Sequence, residues 1–373
     1  MADPWDWLER ARADVAARGL VRRLEPLGPD RQPPLLDLAS NDYLGLARHP
    51  AVVAGAVAAA TTYGAGSTGS RLVTGTTPLH LELETALAEH CGAESALVFS
   101  SGYLANLGVV STLAGPGTLV VSDAANHASL IDACRLSRAT VVVVAHGDVT
   151  AVEAAIAAGT ATRALVVTDA VFSVDGSLAP IAALHDVVRR HGALLLVDEA
   201  HGLGVVGSTG AGVCAALGLD READVIRTVT LSKALGSQGG AVLGPAALRD
   251  HLIDTARPFV FDTGLAPASV GAALAALPLV TEQRVAALAS AGGALAAALG
   301  VDATPGAVVR VPIGDAFAAV AARDACRADG VLVGCFRPPS VPAGQACLRV
   351  AARADLTAAE IERTAQVIRQ RAG

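Results

Sequence analysis

Through the middle of the chain, short and almost wholly apolar runs alternate with longer amphipathic stretches. The short runs are Ala96–Phe99, Thr118–Val121, Thr140–Val144, Ala164–Thr168, Ala193–Val197 and Val225–Thr230. Between them lie helix-like segments such as Ala179–His191, entered through Pro180. Strands spaced by helical stretches predict βαβ units and a mostly parallel sheet. The near-continuous apolar character of the runs predicts helices on both sheet faces. The Ala-rich region Leu265–Leu299 reads as a long helix broken near Pro278. Apolar runs then recur at Val308–Pro312, Val331–Phe336 and Cys347–Ala351, with helices between and after them, which predicts a small α+β unit. The expected organisation is an N-terminal helix and arm (1–50), a large α/β domain (51–265), and a linking helix with a C-terminal α+β domain (266–373). No internal repeat or low-complexity linker interrupts it, so the segments should pack as one body.

A length of 373 residues suits two or three domains. The formal net charge is -7, and basic residues cluster no further than pairs such as Arg22-Arg23 and Arg189-Arg190. The electrostatic footprint of a nucleic-acid binder is missing. Met1–Arg10 is polar and carries two Trp, unlike a signal peptide. The longest apolar stretch, Leu265–Val280, holds two prolines and falls short of a membrane span. The six cysteines (91, 134, 214, 326, 335 and 347) form no C-x-x-C pair. Reduced thiols in a cytoplasmic protein are the simplest account.

One compositional feature bears on chemistry. Of 28 basic side chains, 27 are arginine and one, Lys233, is lysine. A GC-rich coding bias explains the excess of arginine as well as any functional demand does. A lysine can lose its proton and act as nucleophile or base, which an arginine cannot.

Two familiar motifs fail in context. Gly64-Ala-Gly66-Ser-Thr-Gly69 spells G-x-G-x-x-G, but Val57–Tyr63 before it reads as a helix end, and Gly75 and Pro78 forbid a long helix after it. A dinucleotide fingerprint needs a strand before and a helix after. A flexible loop near a ligand is the better reading. Asp198-Glu199-Ala200-His201 matches the DEAH of nucleic-acid-dependent ATPases, yet the single lysine lies in Ser232-Lys233-Ala234, so no phosphate loop exists. Asp198 and His201 could also ligate a metal, but no third ligand is evident nearby, so no metal is expected.

A carboxylate and the lone lysine fall at the carboxyl ends of two predicted strands. Asp198 follows Ala193–Val197, with His201 beyond it, and Lys233 follows Val225–Thr230. Ligands of open α/β sheets bind at those ends. Ser100-Ser101-Gly102-Tyr103 lies between strand Ala96–Phe99 and a helix running to Leu113, which makes an anion site at a helix N-terminus. Lysine, carboxylate and anion cradle together match what pyridoxal 5'-phosphate requires. Taken singly, Asp198 is also a solvated strand end and the Ser-Gly run an ordinary helix cap.

From about Leu36 to Arg353 the chain closely resembles the α-oxoamine synthases, pyridoxal-phosphate enzymes of the aspartate-aminotransferase fold. The resemblance rests on Ser40-Asn-Asp-Tyr-Leu-Gly45, Phe99-Ser-Ser-Gly-Tyr103, Asn126-His127-Ala-Ser129 and Val171-Phe-Ser-Val-Asp-Gly176. Val197-Asp-Glu-Ala-His-Gly202, Thr230-Leu-Ser-Lys-Ala-Leu-Gly236 and Arg337-Pro-Pro-Ser-Val-Pro-Ala-Gly344 continue it. The last stretch is most similar to the biotin-pathway member, which joins L-alanine to a pimeloyl thioester. Relatives that make 5-aminolevulinate or 2-amino-3-ketobutyrate use glycine and usually differ there.

The resemblance implies fold type I, with a mostly parallel central sheet, helices on both faces and a small C-terminal α+β domain. It also implies a cytoplasmic homodimer. It assigns Lys233 to holding the cofactor and then removing the alanine α-proton, Asp198 to the ring nitrogen, and His201 to the phenolic oxygen. His127 should stack on the ring, a role set against that of a capping or core histidine. Ser173 should sit near the ring oxygen or the substrate carboxylate. Gly102 and Tyr103 amides with Thr230 should bind phosphate, joined across a dimer interface by Thr263, although Asp262-Thr263 departs from the family's Ser-Thr. Arg349, helped by Asn41, should grip the amino-acid carboxylate. Ser340 should line the acyl path, and Arg22 or Arg23 should meet the acyl substrate. Ser70, where 5-aminolevulinate synthases typically carry Thr, leaves room for a methyl group, a preference of about 1–3 kcal/mol. The acyl carrier, coenzyme A or a carrier protein, stays open. Outside the family, a nicotinamide oxidoreductase using the Gly64 loop and a non-catalytic cofactor-binding protein are the rival readings.

Overall fold

The short apolar runs form the strands of one sheet. In the computed structural model, which describes residues 3–28 and 35–372, seven strands make this sheet. They are β2 (Ser95–Phe99), β3 (Thr118–Asp123), β4 (Thr140–Val144), β5 (Arg163–Asp169), β6 (Leu194–Asp198), β7 (Val225–Thr230) and β8 (Gly240–Gly244). Their spatial order is β2-β8-β7-β6-β5-β3-β4. All pairings are parallel except those of β8, which runs antiparallel between β2 and β7.

Six of these strands stand where the hydrophobic pattern predicts them. β8 does not announce itself, because Gly-Ala-Val-Leu-Gly is short and bounded by glycine. The glycine is required. A Cβ on Gly240 would overlap the backbone of Ser101 and Gly102, where the helix Gly102–Leu113 begins. Helices cover both faces of the sheet, as expected, and only at β4 does one face lie open. That strand is the sheet edge, and Val141 and Val143 are exposed on it. Four successive valines, Val141–Val144, therefore read as central, although only Val142 and Val144 face a core, beside Val152.

A second sheet of four strands has the order β1 (Leu36–Leu38), β10 (Val331–Phe336), β11 (Ala346–Ala351), β9 (Val308–Gly314). It joins β9, β10 and β11, all foreseen in the C-terminal part, to β1. β1 comes from the N-terminal arm and pairs parallel with β10. Buried Arg337 also donates to the Gly19 and Val21 carbonyls, tying the arm to the C-terminal part. The Ala-rich connection is helix Pro267–Ala276, a 3-10 turn containing Pro278, and helix Glu282–Leu299, with a bend of 86° at the break. Among the described residues, no single helix is long and apolar enough to cross a membrane.

Leu83, Leu87, Leu231, Leu235, Leu295, Leu348 and Val350 belong to one continuous core that runs between the two sheets. Two further cores sandwich the large sheet. One packs Leu195 and Val197 under Leu184 and Val188, and the other packs Leu196 and Val167 under Val109 and Leu130. The carboxyl ends of β5, β6 and β7 emerge where these cores meet.

Gly240→Ala should force β8 away from the helix start at Gly102. We expect a loss of about 1–3 kcal/mol, typical of overpacking, measured by urea denaturation. A variant as stable as the parent would show that this close approach is not needed.

Candidate active site

The floor of the site is built from strand ends. Asp169 of β5 and Asp198 of β6 are register partners on adjacent parallel strands, and both are buried. Asp198 accepts hydrogen bonds from Asn106 Nδ2 at 2.6 Å and from the Ala200 amide at 2.8 Å. Asn106 is itself fixed, accepting from Thr228 Oγ1 at 2.6 Å and donating to Ser129 Oγ at 2.8 Å. Asp169 accepts the His127 amide at 2.7 Å. Burial, and then the neighbouring Asp198, push the Asp169 carboxyl well above the usual carboxylate range.

Lys233 follows β7 in the tight turn Leu231–Gly236, where the Gly236 amide bonds to its carbonyl at 2.9 Å. The half-buried side chain lies in the field of the same floor. Burial lowers its pKa to about 8; Asp198 and Asp169 oppose that shift, and Arg349 reinforces it. His127 caps helix Ala128–Ser137, accepting the Ser129 amide on Nδ1 at 3.2 Å, and its ring is exposed in the single chain. Burial of its surroundings, partly offset by Asp198, lowers its pKa.

Facing the lysine is a buried polar chain. The His201 Nδ1 lies 2.6 Å from the Tyr43 hydroxyl, which lies 3.2 Å from Asn41 Oδ1. Asn41 Oδ1 accepts a close bond from Arg349 Nη2, and Arg349 Nη1 donates to the Ser173 carbonyl at 3.0 Å. The Arg349 guanidinium stands over the Phe336 ring, 4.9 Å from its centroid. Burial, with Lys233, Arg349 and His127 nearby, holds the His201 pKa well below its ordinary value.

The third wall is the start of helix Gly102–Leu113. Ser101 caps it, accepting the Leu104 amide at 3.2 Å, while the Ala105 amide bonds to the Ser101 carbonyl. The Gly102 and Tyr103 amides are left without a protein partner among the described residues, as at any exposed N-terminus. A Cβ on Gly102 would fill the space beside the Thr230 side chain, reaching 3.2 Å from its Cβ. Thr230 Oγ1 shares a hydrogen bond of 2.7 Å with Ser232 Oγ. A cleft with one neutralisable amine, a buried carboxylate and unpartnered helix amides fits pyridoxal phosphate in its donor chemistry.

Lys233, Asp198, His127, His201, Arg349, Asn41 and Ser173 thus meet around one cleft, with Gly102, Tyr103 and Thr230 at its end. The remaining candidates lie elsewhere in the single chain. Ser70 and Thr263 form a bridge to each other, supported by the Gly264 amide on the Gly69 carbonyl at 3.0 Å. Ser340 is exposed in the turn after Arg337. Arg22 and Arg23 are both exposed, and Arg22 reaches the Pro338 carbonyl at 3.5 Å. The Gly64 loop follows helix Pro50–Tyr63 directly, with no strand before it, so the dinucleotide reading has no structural footing.

Three residues of the cleft have no role in the sequence reading. Asn106 lies four positions after Gly102, on the same helix face, so a polar residue there was the available signal. Asp169 ends a predicted strand as Asp198 does. Tyr43 sits within the Ser40–Gly45 motif but carries no charge to attract notice.

Helix amides, a strand-end carboxylate and a lysine in the next loop, on a sheet with one antiparallel strand, define a pyridoxal-phosphate enzyme of the aminotransferase fold. The chain belongs to that family: the model for aminotransferase class I and II matches residues 33–368. It is 59% identical to the 8-amino-7-oxononanoate synthase of Mycobacterium sp. (strain JLS) over 370 residues, covering 98% of this chain and 96% of the relative. Among solved structures it is similar to serine palmitoyltransferase from S. paucimobilis with bound PLP and myriocin (TM-score 0.90, 31% identity, 98% and 96% of the two chains). It is also similar to 8-amino-7-oxononanoate synthase from Francisella tularensis (TM-score 0.75, 26% identity, 90% and 97%).

Because the chain holds one lysine, its titration can be read directly. In the cofactor-free protein, labelling of Lys233 by an amine-selective reagent should rise as pH increases through about 8, where the reactive neutral amine forms. Mass spectrometry of the Lys233 peptide across pH measures it. A midpoint in the ordinary lysine range, near 10.4, would contradict the charge balance described above.

Proposed function

We propose that this protein catalyses the decarboxylative condensation of L-alanine with a pimeloyl thioester, giving 8-amino-7-oxononanoate, carbon dioxide and the free thiol, in biotin biosynthesis. The observation that carries the reading is the convergence of Lys233, Asp198, His201 and Arg349 on one cleft in a chain 59% identical to a synthase of that name.

Bound pyridoxal phosphate supplies a carbonyl that joins to an amine and a ring that accepts electrons from the substrate α-carbon. The chain's residues do the rest. Lys233, with its pKa near 8, is partly neutral at physiological pH, so its amine can bond to the cofactor and later take the alanine α-proton. Asp198 is fixed by Asn106 and the Ala200 amide, and would hold the proton on the ring nitrogen of the bound cofactor. His201 would offer a hydrogen bond to the phenolic oxygen, Ser173 would sit near that oxygen or the substrate carboxylate, and His127 would supply a face for stacking. Gly102 and Tyr103 amides and Thr230 receive the phosphate. Arg349 binds the alanine carboxylate with Asn41 alongside; the Phe336 ring and the Ser173 carbonyl hold the guanidinium in place.

The working unit we infer is a cytoplasmic homodimer. Val53, Val57, Leu72, Val73 and Phe261 are exposed apolar side chains on helix Pro50–Tyr63, the Gly-rich loop and the segment it bridges. Covering them with a second copy would bring Ser70 and Thr263 to the partner's cleft, Thr263 toward phosphate and Ser70 beside the substrate methyl. Six free cysteines support a reducing compartment. Arg22, which reaches the Arg337–Ser340 turn, is favoured over Arg23 for the acyl chain's distal end, with Ser340 along the path. Coenzyme A and an acyl carrier protein both suit this reading as thiol donor.

Two assays test it. L-alanine with pimeloyl-CoA should turn over faster than glycine with acetyl-CoA or succinyl-CoA, or L-serine with palmitoyl-CoA, and faster turnover of any of those pairs would overturn the substrate assignment. Lys233→Arg should abolish turnover, whereas Arg349→Lys should raise KM for L-alanine about tenfold or more, since a hydrogen bond to a charged group is worth ~1.5–3 kcal/mol. Unchanged KM would remove Arg349 from carboxylate binding. Analytical ultracentrifugation should give twice the chain mass, and a monomer would refute the shared site.

A further inference from the structure

We propose that Tyr43 is a positioning residue that fixes the proton of His201 on Nε2, so that this ring presents a neutral N–H donor to the cleft. The hydroxyl is fully buried and has one proton for two neighbours. His201 Nδ1 lies at 2.6 Å and Asn41 Oδ1 at 3.2 Å. O–H donors bond at roughly 2.5–3.0 Å and N–H donors at roughly 2.7–3.2 Å. The shorter contact therefore suits a hydroxyl donating to Nδ1, and is too short for the reverse. The longer one is outside the range for O–H···O, and Asn41 Oδ1 already accepts from Arg349 Nη2. With Nδ1 occupied as an acceptor, a neutral imidazole carries its hydrogen on Nε2.

The surroundings keep the ring neutral. His201 is buried and faces the cationic groups Lys233 and Arg349, with His127 beyond, and these hold its pKa well below the ordinary value. Burial likewise keeps the Tyr43 proton in place by pushing the phenol's pKa up. Nε2 has no protein partner among the described residues, so its hydrogen is free for an acceptor in the cleft. If the function above holds, that acceptor is the cofactor's phenolic oxygen. The same chain runs on through Asn41 to Arg349, so the residue that binds the substrate carboxylate also keeps the asparagine carbonyl engaged and away from the Tyr43 proton. Second partners of this kind orient a histidine without touching the ligand.

The test is nitrogen NMR of the holoenzyme labelled with 15N-histidine, with the His201 signal assigned by its loss in His201→Asn. The expected spectrum has Nε2 protonated and Nδ1 with the shift of a hydrogen-bonded lone pair. In Tyr43→Phe, which removes only the hydroxyl, the proton should distribute over both nitrogens. The kcat should then fall on the order of tenfold, the lower end of what loss of an orienting partner costs, with KM for L-alanine little changed. A wild-type His201 protonated on Nδ1 overturns the proposal, as does an unaltered tautomer in Tyr43→Phe. Should that variant fail to fold, the wild-type spectrum decides alone. The tautomer is read without turnover, so an error in the assigned substrate leaves this test intact.

Discussion

The site depends on how one ammonium group is kept partly out of water. An isolated charge transferred to a protein interior is costly, and the group usually gives up its charge instead. Lys233 is held between those limits. Burial drives its proton off, Asp198 and Asp169 hold it on, and the balance falls near pH 8. The two carboxylates are neighbours because parallel strands in register end side by side. Such a pair resists double ionisation, and Asp169 carries the penalty.

The rest of the scaffold serves that balance. The helix beginning at Gly102 turns its first amides to one end of the cleft and, one turn later, its Asn106 side chain to Asp198. One element thus fixes both the anion end and the carboxylate. The close approach of β8 to the helix start at Gly102 sets the helix height above the sheet and explains why glycine stands at 240. The N-terminal arm and the C-terminal sheet supply the opposite wall, since Asn41 and Tyr43 follow β1 and Arg349 lies on β11. Pairing of β1 with β10 keeps those two wall segments together.

Much of this was legible in the sequence. Buried parallel strands declare themselves as continuous apolar runs, and six strands of the large sheet were found that way. Strand-end residues such as Asp198 and Lys233 followed from the same pattern, because the ends of parallel strands are where ligands bind. The pattern failed where burial and composition part company. β8 is glycine-rich for steric reasons, β1 is three residues long, and β4 is all but apolar yet lies at an edge. Asn106, Asp169 and Tyr43 leave no local mark in the sequence for a different reason. Each acts through a partner brought near by the tertiary fold, and no local spacing records that Tyr43 lies against His201, 158 positions away. Ser70 and Thr263 bridge to each other, and among the described residues no hydrogen bond joins either to Lys233, Asp198 or His201.

The charge balance at Lys233 makes it the residue to which pyridoxal phosphate should join. Borohydride reduction of the purified protein incubated with pyridoxal phosphate, followed by peptide mass spectrometry, tests it most directly. One phosphopyridoxyl group per chain on the peptide containing Lys233 is the predicted result. An unlabelled Lys233, or label confined to the N-terminal amine, would contradict it.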